Sequence, residues 1–176
     1  SSFFTGINIQ KLSDIKNIPL INMPKNLKAQ YVQFSPNENY ISFVQVGATA
    51  LSLWVIDLKT GQARMILEDG LNATLGIPYQ WGNNDDYIFC KWNANKSKLI
   101  AKKELPKGPA IQDATGEKAA AKTYQDLLRN KQDEAIFDYY TSCYYLKVSV
   151  DGKEKSSFLQ EGIYTQFSIS PDGKYI

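Results

Sequence analysis

Histidine is absent from this 176-residue chain. Its absence removes the usual general base at neutral pH and a common metal ligand, and it makes a Ser-His-Asp triad impossible. Cysteine is scarce, with only Cys90 and Cys143 present. These two have no CxxC spacing, cannot build a zinc site by themselves, and allow one disulfide at most, so the redox compartment stays open. Net charge is only +2, too little to suggest a nucleic-acid partner. No apolar run approaches the ~20 residues of a membrane span, and no signal-peptide pattern is present. Neither a G-x-S-x-G elbow nor a glycine-rich phosphate loop occurs. No catalytic, cofactor-binding or metal-ligating residue can therefore be assigned, and no cofactor is expected.

What the chain has in quantity is aromatic and β-branched character. Aromatics make up 12% of it, with 11 tyrosines, and 43% of residues are hydrophobic. The organising stretch is residues 34–67. Ser35-Pro36-Asn37 opens with a turn, and residues 40–46 read as a strand. Gly47-Ala48-Thr49 breaks that strand, 51–58 resume it, Lys59-Thr60-Gly61 breaks it again, and 63–67 form another. Val, Ile, Phe and Trp suit a pleated, half-buried surface, while Gly, Asn and Pro supply the turns. Further strands are expected at 3–10, 18–23 and 29–34, the first two as the end of a meander that starts before this sequence.

The pattern recurs. Ser35-Pro36-Asn37-Glu38-Asn39-Tyr40-Ile41 aligns with Gly82-Asn83-Asn84-Asp85-Asp86-Tyr87-Ile88 and with Ser170-Pro171-Asp172-Gly173-Lys174-Tyr175-Ile176. The first two copies are 47 residues apart, the length of one four-stranded propeller blade (roughly 40–50 residues). The second and third are 88 apart. The later turns, Gly61 and Gly152, place the excess between Tyr87 and Val150. The expected fold is all-β: a partial β-propeller of about three four-stranded antiparallel blades, residues 1–176, with one insertion at about 105–137. Ala119, Ala120, Ala121, Leu127 and Leu128 are good helix formers, so a short helix is expected over 118–128. Residues 133–138 should lead back to a strand over 139–150. The insertion, as a connection between a blade's second and third strands, should project on the same face as residues 68–76. Transferring Cys90 and Cys143 onto the regular blade puts them close to opposite each other on neighbouring strands, both reduced. Because a propeller closes on itself, a chain that opens Ser1-Ser2-Phe3 and stops at Ile176 reads as a piece of a longer one.

Other candidates have ordinary structural readings. Asn83-Asn84-Asp85-Asp86 lacks the spacing of a calcium loop and sits where the other repeats have a turn. Lys96, Lys98, Lys102, Lys103 and Lys107 form a basic run without interleaved aromatics, which reads as a solvated face. Trp54, Trp81 and Trp92 fall in or beside expected strands and read as blade core. Asn72-Ala73-Thr74 and Asn95-Lys96-Ser97 match the glycosylation sequon, a frequent chance match.

Three pieces carry a family resemblance: Gly108-Pro109-Ala110-Ile111-Gln112, Thr123-Tyr124-Gln125-Asp126-Leu127-Leu128 and Asp133-Glu134-Ala135-Ile136-Phe137-Asp138-Tyr139-Tyr140. With Phe3-Phe4-Thr5-Gly6-Ile7, they resemble the propeller of the prolyl oligopeptidase family, in its glutamyl endopeptidase-like branch. The resemblance implies a serine peptidase in which the propeller precedes a C-terminal α/β-hydrolase domain. That domain would be this segment's partner and would hold every catalytic residue, and the substrate would be a peptide. The branch suggests cleavage after Glu, and the family suggests a periplasmic or exported site. Two other readings stay open: a non-enzymatic propeller binding module of the TolB or WD-repeat kind, and a sugar-acting propeller enzyme whose site lies in other blades.

Overall fold

The computed structural model describes residues 2–93, 128 and 130–176. The first sheet has strands β1 (Ala29–Phe34), β2 (Tyr40–Val46), β3 (Leu51–Asp57) and β4 (Ala63–Leu67), antiparallel and in chain order. The second repeats the plan with β5 (Tyr79–Trp81), β6 (Tyr87–Trp92), β7 (Ser142–Ser149) and β8 (Lys155–Ser157). A two-residue strand, β9 (Gly162–Ile163), pairs with the start of β7.

The central strands β2 and β3 are buried on both faces, so apolar residues stand at successive positions in them. Val44 pairs with Leu53 and faces the second sheet, joining Val55, Tyr79, Trp81, Ile88, Cys90 and Val148 in one cluster. Phe43 pairs with Trp54 and faces the other way, with Ile41, Ile56 and Ala63. Each large apolar side chain buried this way contributes about 1.5–3 kcal/mol.

The segment before β1 covers that second face, and it corrects the expectation of two strands at 3–10 and 18–23. Ile9 is buried in the Phe43 cluster, with Ile7, Ile18, Leu20 and Met23 packed against it. Only isolated bridges form. Phe4 exchanges two 2.8 Å backbone hydrogen bonds with Ala29 at the β1 edge, and Ile21 lies parallel to Gln62 at the β4 edge. The chain crosses the sheet face from one edge to the other, so it lies over the sheet rather than beside a partner strand. Apolar β-type residues suit that packing as well as they suit a ladder. Gly61 is needed at the far edge. Its φ is +73°, and a Cβ there would lie 2.0 Å from the Pro19 carbonyl oxygen.

The repeat seen in the sequence returns in the hydrogen bonds. Ser35 N–H bonds the Tyr40 carbonyl, Gly82 N–H that of Tyr87, and Ser170 N–H that of Tyr175. Successive turns are also laced together. Asp85 accepts from the Asn37 N–H at 2.9 Å and the Asn39 amide at 2.7 Å, and Asn83 donates to the Ser170 and Pro171 carbonyls.

Residues 93–141 connect β6 to β7, the second and third strands of their sheet. They end in a helix, α1 (Lys131–Thr141), which corrects the expected approach over 133–138 and the strand from 139. Asn130 caps it by accepting from the Gln132 and Asp133 N–H groups, and Asp133 and Glu134 occupy the first turn, where helix dipoles favour acids. The strand begins only at Ser142. The helix expected over 118–128 lies outside the described residues except for Leu128, as do residues 105–127 of the expected insertion.

Candidate functional site

Connections between antiparallel strands alternate between the two ends of a sheet. The β2–β3 turn, the β4–β5 connection and the β6–β7 connection therefore share one end, and α1 sits there. Asn72 donates to the carbonyls of Tyr140 at 2.9 Å and Ser142 at 3.4 Å, and its own carbonyl oxygen takes the Thr74 N–H. Asn93 donates to Tyr139 O at 3.1 Å. A cleft of about 520 Å³ lies between these groups, lined by Thr49, Leu71, Asn72, Asn93, Tyr139 and Tyr140. An apolar hollow of about 640 Å³ follows along α1, lined by Leu75, Leu128, Ile136 and Phe137. The Asn72 and Asn93 amides hold the end of the helix against the blade.

The sequence candidates scatter. Asn72 is 8% exposed with its amide bonded, so its sequon cannot carry a glycan in the folded chain. Asn95 and the Lys96–Lys107 run lie outside the described residues. Asp85 serves the turn lacing. Burial works to raise its pKa, but the hydrogen bonds from Asn37 and Asn39 outweigh it and hold the carboxyl below its ordinary value. No group of three potential metal-ligating side chains forms among the described residues. Trp81 is buried in the inter-sheet cluster, and Trp54 stacks on Phe43 with ring centroids 6.2 Å apart. Trp92 packs at the edge of the same cluster.

The cysteines are both free and buried, but they do not oppose each other. Cys90 faces Leu146, and Cys143 pairs with Gly162 of β9. Two effects displaced the expected register. In the regular blade Phe43 faces Trp54, two residues beyond Ser52. The β7–β8 turn is also one residue tighter, with Gly152 N–H reaching Ser149 where Gly61 N–H reaches Asp57. Burial pushes both thiol pKa values up, against small opposing effects from Lys155 on Cys90 and Lys91 on Cys143. Because the thiolate is the reactive form, both should resist modification. Native chain at pH 8 should react with a disulfide reagent at least ~100-fold more slowly than urea-unfolded chain. A fast native phase of one thiol equivalent would contradict the burial.

Sequence reading passed over Lys91. It is 2% exposed, and its Nζ donates to the carbonyls of Leu75 and Thr165, joining the β4–β5 connection to the start of the third repeat. Burial depresses its pKa. The visible signal is a lysine inside the apolar strand Tyr-Ile-Phe-Cys-Lys-Trp. Lys91 and Cys143 influence each other electrostatically, but at 2% and 1% exposure neither meets a substrate.

Two four-stranded sheets in blade order, packed face to face and followed by a third copy of the opening turn, make this chain part of a β-propeller. No protein-family profile matches it. It is 31% identical over 189 aligned residues to the probable glutamyl endopeptidase, chloroplastic, of Oryza sativa subsp. japonica, covering 99% of this chain and 20% of that protein. The Arabidopsis thaliana protein of the same name is 29% identical over 188 residues, covering 99% and 19%. Among solved structures, an acylaminoacyl peptidase in complex with Z-Gly-Gly-Phe-chloromethyl ketone aligns with 85% of this chain and 20% of its own, at 17% identity and a TM-score of 0.43. The chain spans about a fifth of the length of the curated relatives it matches. Over that stretch its sequence is similar to these probable glutamyl endopeptidases.

Proposed function

We propose that this chain is the propeller segment of a serine peptidase that hydrolyses peptides, and that it restricts substrate access to a catalytic α/β-hydrolase domain outside residues 1–176. The observation that carries this reading is the similarity to glutamyl endopeptidases along 99% of the chain. The chain has no histidine, so the histidine of a Ser-His-Asp triad would come from outside these residues. The relatives' name extends the proposal to cleavage after Glu. A non-enzymatic binding propeller is the second reading, because a propeller fold does not fix function.

The purified 1–176 chain is expected to give no turnover of chromogenic peptide substrates, while the longer gene product proposed here cleaves them. Turnover by 1–176 that survives removal of contaminating peptidases would overturn the division of labour. A longer product without peptidase activity, and without a G-x-S-x-G elbow followed by Asp and His, would favour the binding module.

A further inference from the structure

A third cleft, of about 380 Å³, opens where the first strands of the two sheets meet the third repeat. Gln33 from β1, Gln80 from β5 and Gln166 from the third repeat all line it. Gln33 and Gln80 are equivalent in the repeat: they lie 47 residues apart, each two residues before its turn. Among the described residues, none of these three side-chain amides has a hydrogen-bond partner, whereas Ser42, Tyr79 and Trp81 beside them are fully engaged. Among the described residues, the rest of the lining includes Ile77, Tyr145 and Phe167, and no charged side chain.

This combination selects a ligand chemistry. A carboxamide offers two N–H donors and one acceptor. Three of them, drawn from successive blades, match a ligand that alternates neutral donors and acceptors along its length. Phosphate or carboxylate would find no countercharge here, and a purely apolar ligand would leave the amides unmet. We infer that the Gln33–Gln80–Gln166 cleft binds the backbone of an extended, uncharged peptide segment, with Ile77 and Phe167 taking its apolar side chains. Peptide as the ligand class rests on the peptidase reading above. The cleft would hold a peptide along the blades' first strands.

The test uses the 15N-labelled 1–176 chain and the blocked hexapeptide acetyl-Gly-Ala-Phe-Gly-Ala-Phe-amide. The side-chain amide resonances of Gln33, Gln80 and Gln166 should shift on titration, assigned through the single variants Gln33→Leu, Gln80→Leu and Gln166→Leu. Each variant should weaken binding about 2- to 10-fold, the effect of one net hydrogen bond. The same peptide with its backbone nitrogens methylated should bind the unaltered chain at least ~10-fold more weakly, a readout that does not depend on any variant folding. No shift up to millimolar peptide would overturn the inference. So would binding that ignores all three variants and the methylation. The outcome is separable from the peptidase reading. A cleaving long product whose glutamine amides ignore the peptide sinks only this inference, and binding without any peptidase in the long product sinks only that reading.

Discussion

Replacing Tyr145 with alanine is expected to lower the stability of the chain by about 3–5 kcal/mol, in the range of a large aromatic removed from a core. Tyr145 is 1% exposed and is the largest of the fully buried side chains. It lies on β7, and its ring meets those of Phe167 at 4.5 Å, Tyr164 at 5.3 Å and Phe158 at 5.8 Å between centroids. Phe89 joins the group edge-on to Phe158 and Phe167. Such pairs add ~0.5–1.5 kcal/mol each beyond the area they bury. The stretch they hold, residues 158–167, has little backbone pairing of its own: β9 is two residues long, and Phe158 N–H reaches Tyr145 O at 3.2 Å. The ring thus joins the Lys91 and Asn83 hydrogen bonds in attaching the third repeat to the second blade. Urea unfolding should show the loss at an unchanged m-value. Amide exchange in 158–167 should speed up more than in β2 or β3. Tyr145→Phe keeps the ring and should cost under ~1.5 kcal/mol. Burial, aided by Cys143 and Tyr164, pushes the hydroxyl pKa up to about 12, so neither variant should change stability differently between pH 6 and 9. A Tyr145→Ala loss under about 1 kcal/mol would mean that the third repeat is held by something other than this cluster.

The strands that were legible in the sequence are those with a turn at both ends. Residues 40–46 lie between Ser35-Pro36-Asn37 and Gly47-Ala48-Thr49, and β2 has those same bounds. Turn chemistry is local, so spacing alone revealed the repeat and its 47-residue period. What failed was set by tertiary neighbours. Residues 3–10 and 18–23 have the composition of strands, yet the first sheet uses them as a cover for Phe43 and Ile56. Composition cannot tell an apolar cover from an apolar ladder. Residues 131–141 carry Ile136, Phe137, Tyr139 and Tyr140, which suit a strand, but the Asn130 cap and the bonds from Asn72 and Asn93 set them as a helix. Asn130 was readable as a cap in principle, with Asp133 three residues on. The three glutamines of the cleft were invisible as a set, because Gln166 joins Gln33 and Gln80 only once the blades are stacked. Lys91 was hidden for the same reason, since its two carbonyl partners come from residues 75 and 165.

The interface between the two sheets contains a directional chain of hydrogen bonds, and Ser42 is its centre. Trp81 Nε1–H donates to Ser42 Oγ at 2.8 Å. The Ser42 hydroxyl donates to Tyr79 at 2.9 Å, and the Tyr79 hydroxyl donates to the Tyr31 carbonyl. Each hydroxyl therefore accepts one bond and passes one on, in a region where Ser42 is fully buried and Tyr79 is 2% exposed. Tyr31 sits at the β1 bulge between Gln30 and Gln33 with φ of +51°, a costly conformation for a tyrosine. Its carbonyl is what Tyr79 receives in return. Ser42→Ala should cost about 2–3 kcal/mol, because it leaves the Trp81 N–H as a buried donor without an acceptor. Tyr79→Phe should cost less, about 1–2 kcal/mol. The Ser42 hydroxyl can then turn to the Gln33 carbonyl, already 3.3 Å away, and only the Tyr31 carbonyl loses its donor. The double variant Ser42→Ala, Trp81→Phe should be less destabilised than the sum of the two single variants, since removing the donor relieves the orphan. Urea denaturation of the four proteins closes the cycle. If Tyr79→Phe proves costlier than Ser42→Ala, or the double variant is additive, the bonds do not run in the direction Trp81 to Ser42 to Tyr79.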